Sequence, residues 1–135
     1  MNVVVADDNG RVLMIRRREN GNWALPGGGI NLGESLPEAG VRETAEETGV
    51  TCEITGIVGT YADPKHVILY TSNGEATLGV LHCPGRSAGL RGAGYERRSV
   101  DVRWVSHEDL LTLHMDHSMR MRVEHDLSGV GPYTG

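Results

Sequence analysis

Apolar positions in this chain follow two periods. Short apolar runs at 3–6 and 11–15 read as strands, joined by Asp7-Asp8-Asn9-Gly10, and Asn-Gly between such runs is a hairpin signal. Residues 20–34 carry turn formers, with Pro26 followed by Gly27-Gly28-Gly29, and Trp23 and Leu25 are expected to anchor this loop to the core. A helix is expected at 36–48, with Ser35 as N-cap, Glu38 three residues on as in a capping box, Pro37 in the first turn and Gly49 as the stop. Strand-like runs follow at 52–60, 66–71 and 77–83, with a turn at Asn73-Gly74, then a Gly-rich loop at 84–94 and a strand at 100–105. Ser106 to Asp109 opens a short helix. A last helix covers about 117–127, with Met119, Val123 and Leu127 on one face, before a frayed tail at 129–135. Strands and helices interleave within one expected domain spanning 1–135, which predicts an α/β sandwich around a mixed sheet.

Composition narrows the function classes. Apolar residues make up 39% of 135, enough for one core, and no run approaches the roughly 18 that a bilayer span needs. No basic start leads into an apolar run, so a soluble, cytoplasmic protein is expected, with no membrane partner. Acidic residues outnumber basic ones 18 to 13, for a net charge of −5. That balance argues against wrapping a long nucleic acid, where phosphate neutralisation dominates. It leaves open a small anionic ligand held through a metal. Cys52 and Cys83 set no disulfide framework and read as small buried side chains.

The most informative stretch is 28–50, GGINLGESLPEAGVRETAEETGV. On a helix, Val41, Thr44, Ala45 and Thr48 share the expected sheet-facing arc. Glu43, Glu46 and Glu47, at i, i+3 and i+4, converge on another. Like charges at this spacing repel, and a helix C-terminus prefers cations. Arg42 can offset Glu46, and Glu38 can reach Arg42 by the same spacing, but Glu43 and Glu47 gain nothing on the helix. A bound cation removes the conflict, because hard divalent ions take carboxylate and carbonyl oxygens and bridge them to substrate phosphates. The preceding glycines let backbone carbonyls approach the same ion. A solvated acidic helix face is the plain alternative.

These residues resemble the box of the Nudix hydrolases, G-x5-E-x7-R-E-U-x-E-E-x-G-U with U bulky and apolar. Gly28, Glu34, Arg42, Glu43, Glu46, Glu47, Gly49 and Val50 stand at the required spacing, and Thr44 at the first U is the one departure. The lead-in Trp23-x-Leu25-Pro26-Gly27-Gly28 is also similar. The resemblance implies the Nudix fold, an α/β/α sandwich with a mixed sheet and a loop-helix-loop box. It implies Mg²⁺-dependent (or Mn²⁺-dependent) hydrolysis of a nucleoside diphosphate linked to another group. Glu43, Glu46 and Glu47, with the Gly27 carbonyl, are then the metal ligands. Glu34 and Arg42 brace the box, and Glu34 reaches metal through water. The base is a box glutamate such as Glu43, or a glutamate on a later loop, for which Glu96 is the candidate.

Substrate choice leaves weaker marks. Pro64 lies near the place of a proline in ADP-ribose-hydrolysing relatives, and Tyr61 and Tyr70 read as buried sheet aromatics rather than base-stacking groups. Arg86, Arg91, Arg97 and Arg98 make the Gly-rich loop a phosphate-lid candidate, whereas Arg16-Arg17-Arg18 reads as a solvated strand end. His114, Asp116 and His117 read as local capping, not a zinc site, with His117 or Arg120 as alternative substrate contacts. Oxidised or ordinary nucleoside triphosphates and nucleotide sugars such as ADP-ribose are the expected substrates. The resemblance also leaves a homodimer open. The rival readings are a nucleotide-binding regulatory module without turnover and diphosphate isomerisation. The first usually loses box glutamates, and the second needs a cysteine that neither Cys52 nor Cys83 plainly supplies.

Overall fold

A computed structural model describes residues 1–62, 80–84 and 99–135. Strands β1 (Asn2–Ala6), β2 (Val12–Arg17) and β3 (Trp23–Ala24) precede helix α1 (Leu36–Thr48). Then come β4 (Gly56–Thr60), β5 (Val80–Pro84), β6 (Ser99–Val105), α2 (His107–Leu110), α3 (His117–Ser128) and β7 (Tyr133–Thr134). The sheet runs β3-β2-β1-β5-β4-β7, with β6 along the other edge of β2. It is mixed. β1 is antiparallel to β2 and parallel to β5, while β4 is antiparallel to β5 and parallel to β7.

Both faces of the sheet are covered, which explains the unbroken Val3-Val4-Val5 run at its centre. Val3 and Val5 pack with Leu13 and Ala39 on the α1 side, and Val4 packs with Met14, Met119 and Val123 on the α3 side. All three valines are fully buried. The Asp7–Gly10 connection turns with Gly10 at φ 74°, its N–H bonded to the Asp7 carbonyl at 2.9 Å. Trp23 and Leu25 are buried as the loop anchors expected of them, and Trp23 goes further, pairing with Arg16 as strand β3.

Helix α1 has the predicted bounds and caps. Ser35 accepts from the Glu38 N–H while Glu38 accepts from the Ser35 N–H, and Gly49 closes the helix at φ 75°. Its buried arc differs from the expected one. Ala39, Gly40, Thr44 and Thr48 are buried, whereas Val41 and Ala45 lie half-covered at the flank. Glu43 and Glu47 therefore fall between the Ala39 and Gly40 sides of the helix, facing inward, and Glu46 is turned outward. Thr44 is fully buried and its hydroxyl has no hydrogen-bond partner among the described residues. A buried unsatisfied hydroxyl is destabilising, so Thr44→Val is expected to raise stability by about 1 kcal/mol in chemical denaturation.

Helix α3 buries Ser118, Met119, Arg122 and Val123. Leu127, expected on the same face, is 37% exposed because it lies roughly 110° from the centre of that arc. The tail, expected to fray, instead pairs as β7 with β4, and the Gly135 N–H donates to the Thr60 carbonyl. Tyr133 stacks on Tyr61 and His125, with ring centroids 5.1 and 4.2 Å away, which supplies the anchorage its composition hid. The run expected as a strand at 52–60 is regular only from Gly56. The expected strand at 66–71 and most of the loop at 84–94 lie outside the described residues. No described helix is long and apolar enough to cross a membrane.

Candidate functional site

The site is built where the loop after β3 meets the inward face of α1. That loop passes directly over the start of β1. The Val3 N–H donates to the Pro26 carbonyl at 2.8 Å, and the Met1 nitrogen donates to the Gly28 carbonyl at 2.7 Å. A Cβ on Gly27 would collide with the Met1 carbonyl and stand 2.7 Å from Asn2 Cα, and its φ is 154°. Only glycine allows this approach. Gly28 faces α1 instead, and a Cβ there would stand 2.5 Å from the Glu43 carboxylate carbon.

Arg42 organises the carboxylates. Its guanidinium grips Glu34 through two bonds, Nε to Oε1 at 2.7 Å and Nη2 to Oε2 at 2.8 Å. It also donates to Glu43 at 2.9 Å, to Glu46 at 3.3 Å and to the Gly29 carbonyl at 3.0 Å. Bidentate, charge-assisted contacts of this kind fix geometry as well as charge. These carboxylates hold the Arg42 proton more tightly than usual. Glu38, expected to reach Arg42, is taken by Ser35, whose hydroxyl donates to it at 2.6 Å.

The three box glutamates do not converge as the helix spacing predicts. Glu43 and Glu46 lean toward Arg42, and Glu47 accepts the Gly27 N–H at 2.9 Å. Among the described residues no group of three His, Cys, Asp or Glu side chains gathers closely enough to hold a metal. The physical reason is a division of donors: Arg42 Nη1 draws Glu43 and Glu46 to itself, while the Gly27 N–H holds Glu47. The donor set nevertheless fits a hard divalent ion, because it consists of oxygens alone. The carbonyls of Pro26, Gly28 and Gly29 each accept a hydrogen bond, which leaves Gly27's as the uncommitted carbonyl of that run among the described residues. It belongs to the residue whose N–H holds Glu47.

Hydrogen bonds from Arg42, and then from the Asn31 N–H, hold the Glu34 carboxyl down at about 2 against an ordinary 4.5. A depressed folded-state value stabilises the fold above about pH 4.5, and that contribution is lost as the pH falls through about 2. The stability difference between wild type and Glu34→Gln is therefore expected to shrink steadily across that window in urea melts, after screening has reduced its size.

The other predicted site residues are dispersed. Glu96, Pro64, Tyr70, Arg86, Arg91, Arg97 and Arg98 lie outside the described residues. Tyr61 is a buried sheet-end aromatic, hydrogen-bonded to His125 at 2.8 Å. Asp116 stands at the N-cap of α3, but its carboxylate accepts from Asn22 at 3.0 Å instead of capping the helix. His114 bonds to the same Asn22 at 2.7 Å. Arg120 donates to the Leu113 carbonyl at 2.7 Å, tying α3 to the turn that follows α2. Two residues near the loop escaped sequence reading, Asn2 and Arg122. Arg122 gives itself away only by falling in the 118, 119, 122, 123 row, a pattern its charge conceals.

Comparison with known proteins agrees with this geometry. The Nudix domain profile matches residues 1–124. A MutT-like protein of Streptomyces ambofaciens is 37% identical over 131 residues, covering 96% of this chain and 77% of that protein. The nucleoside triphosphatase NudI of Enterobacter sp. (strain 638) is 29% identical, covering 87% and 88%. The crystal structure of a MutT protein from Methanosarcina mazei Go1 superposes with a TM-score of 0.70 at 28% identity, covering 96% of this chain and 92% of its own. With that profile running through both the glycine loop and the Arg42-centred helix, the chain belongs to the Nudix hydrolase superfamily.

Proposed function

We propose that this chain is a Mg²⁺-dependent pyrophosphohydrolase that cleaves a phosphoanhydride in a nucleoside diphosphate linked to another group, with nucleoside triphosphates as the preferred class. The observation that carries the reading is the box itself: Glu43 and Glu47 face inward against Gly28 and Gly27, and Arg42 braces Glu34 opposite them. The triphosphate preference rests on coverage. One relative named for nucleoside triphosphates, that of Enterobacter, aligns along most of both chains, whereas an ADP-ribose pyrophosphatase of Methanocaldococcus jannaschii matches over 45% of this chain.

In this reading Glu43, Glu46, Glu47 and the Gly27 carbonyl hold the ion, and Glu34 reaches it through water. Bound there, a divalent ion neutralises phosphate charge and lowers the pKa of an attacking water. Glu43 would take that water's proton, with Glu96 as the alternative base. Arg42 keeps Glu34 ionised and the Gly29 carbonyl in place. The test is a panel of nucleoside triphosphates and nucleotide sugars, incubated with Mg²⁺ and with chelator. Mg²⁺-dependent turnover fastest on a triphosphate supports the proposal. Turnover insensitive to chelator, or tight nucleotide binding without product over hours, overturns it.

A further inference from the structure

We infer that Arg122 is a positioning residue for the metal site, acting across the sheet through Asn2; this rests on the proposed function above. Arg122 lies on α3, on the opposite face of the sheet from α1, and is 2% exposed. Burying a guanidinium is costly unless its donors find acceptors. Here Nη1 donates to Asn2 Oδ1 at 3.0 Å, and the cation sits 5.2 Å above the Tyr61 ring. Asn2 is itself buried, and its Nδ2 donates onward to the Leu25 carbonyl at a long 3.4 Å. The charge thus sets the orientation of the Asn2 amide, oxygen toward Arg122 and nitrogen toward the loop.

From Leu25 the effect reaches the site in two residues. Gly27 packs its backbone on Met1 and Asn2, and its N–H holds Glu47 on α1. Losing the Asn2 amide N–H would release the Leu25 carbonyl, which it holds two residues before Gly27. A purely structural buried arginine needs an acceptor, but not one that also bonds to the peptide two residues before the proposed carbonyl ligand.

The experiment measures Mn²⁺ affinity of the full chain without substrate, following free Mn²⁺ by electron paramagnetic resonance, for wild type, Glu47→Gln, Arg122→Met and Asn2→Asp. Asn2→Asp separates positioning from stability: the carboxylate satisfies Arg122 but cannot donate to Leu25. Both Arg122→Met and Asn2→Asp are expected to weaken Mn²⁺ about tenfold, as outer-sphere changes do, with Asn2→Asp melting no lower than wild type. Binding within twofold of wild type by either folded variant overturns the inference; should Arg122→Met not fold, Asn2→Asp alone decides. If wild type binds Mn²⁺ and Glu47→Gln does not, that failure belongs to Arg122 alone. If wild type does not bind, the proposed metal site falls and this inference with it.

Discussion

Glu47→Gln is expected to lower turnover about a thousandfold while leaving the protein folded. The size follows from the ion's role: several kcal/mol of charge stabilisation depends on its ligands, and each 1.36 kcal/mol is roughly tenfold in rate. The amide retains an oxygen that can accept from the Gly27 N–H, the hydrogen bond by which Glu47 holds the loop. The loop and α1 should therefore stay joined, with a melting temperature close to wild type. A steady-state assay with saturating Mg²⁺, paired with a thermal melt, checks both halves. A variant that loses activity only in proportion to lost folded protein would contradict the assignment of Glu47 as a ligand.

The two adjacent glycines give the second large effect, and they should fail differently. Gly27→Ala places a Cβ against the Met1 carbonyl and 2.7 Å from Asn2 Cα, backbone atoms where a central strand begins, at a φ of 154°. Nothing there can swing aside, so a loss of about 3 kcal/mol or more is expected. The nearest atoms that Gly28→Ala meets are the far end of Glu43, at 2.5–2.6 Å. That side chain can rotate away at small cost in stability, but it then leaves the position beside Gly28 from which the proposed function has it serve the metal. Turnover should fall roughly a hundredfold with the melt little changed, in line with the effect of removing one preorganised group from a site. Urea denaturation and initial rates on the two variants separate them. Matching stability losses would show that Gly28 is a packing glycine like its neighbour.

The contrast between what was legible and what was not has a common cause. The caps of α1 are local, so Ser35, Glu38 and Gly49 could be read directly, and the box residues stand at diagnostic spacings. Where each glutamate points is not local. The helix spacing brings Glu43, Glu46 and Glu47 together, but Arg42 Nη1 holds Glu43 and Glu46 while the Gly27 N–H takes Glu47. Glu38 has its capping partner Ser35 as read, and that nearer partner keeps it from Arg42. The tail and Leu127 failed for a related reason. Tyr133 is held by Tyr61 and His125, more than 70 and 8 positions upstream respectively, and no window of sequence displays that stack. Arg122 is the extreme case. Its acceptor, Asn2, lies 120 residues away, so the only sign of burial was its place beside Met119 and Val123.

The central claim is that box carboxylates direct a metal-dependent attack of water on phosphorus. It is tested most directly by turnover in oxygen-18 water, with mass analysis of every product. Wild type with Mg²⁺ should place one oxygen-18 on a phosphate product, and Glu47→Gln should show only trace incorporation. Label appearing on carbon, or equal phosphate labelling by wild type and Glu47→Gln, would contradict it.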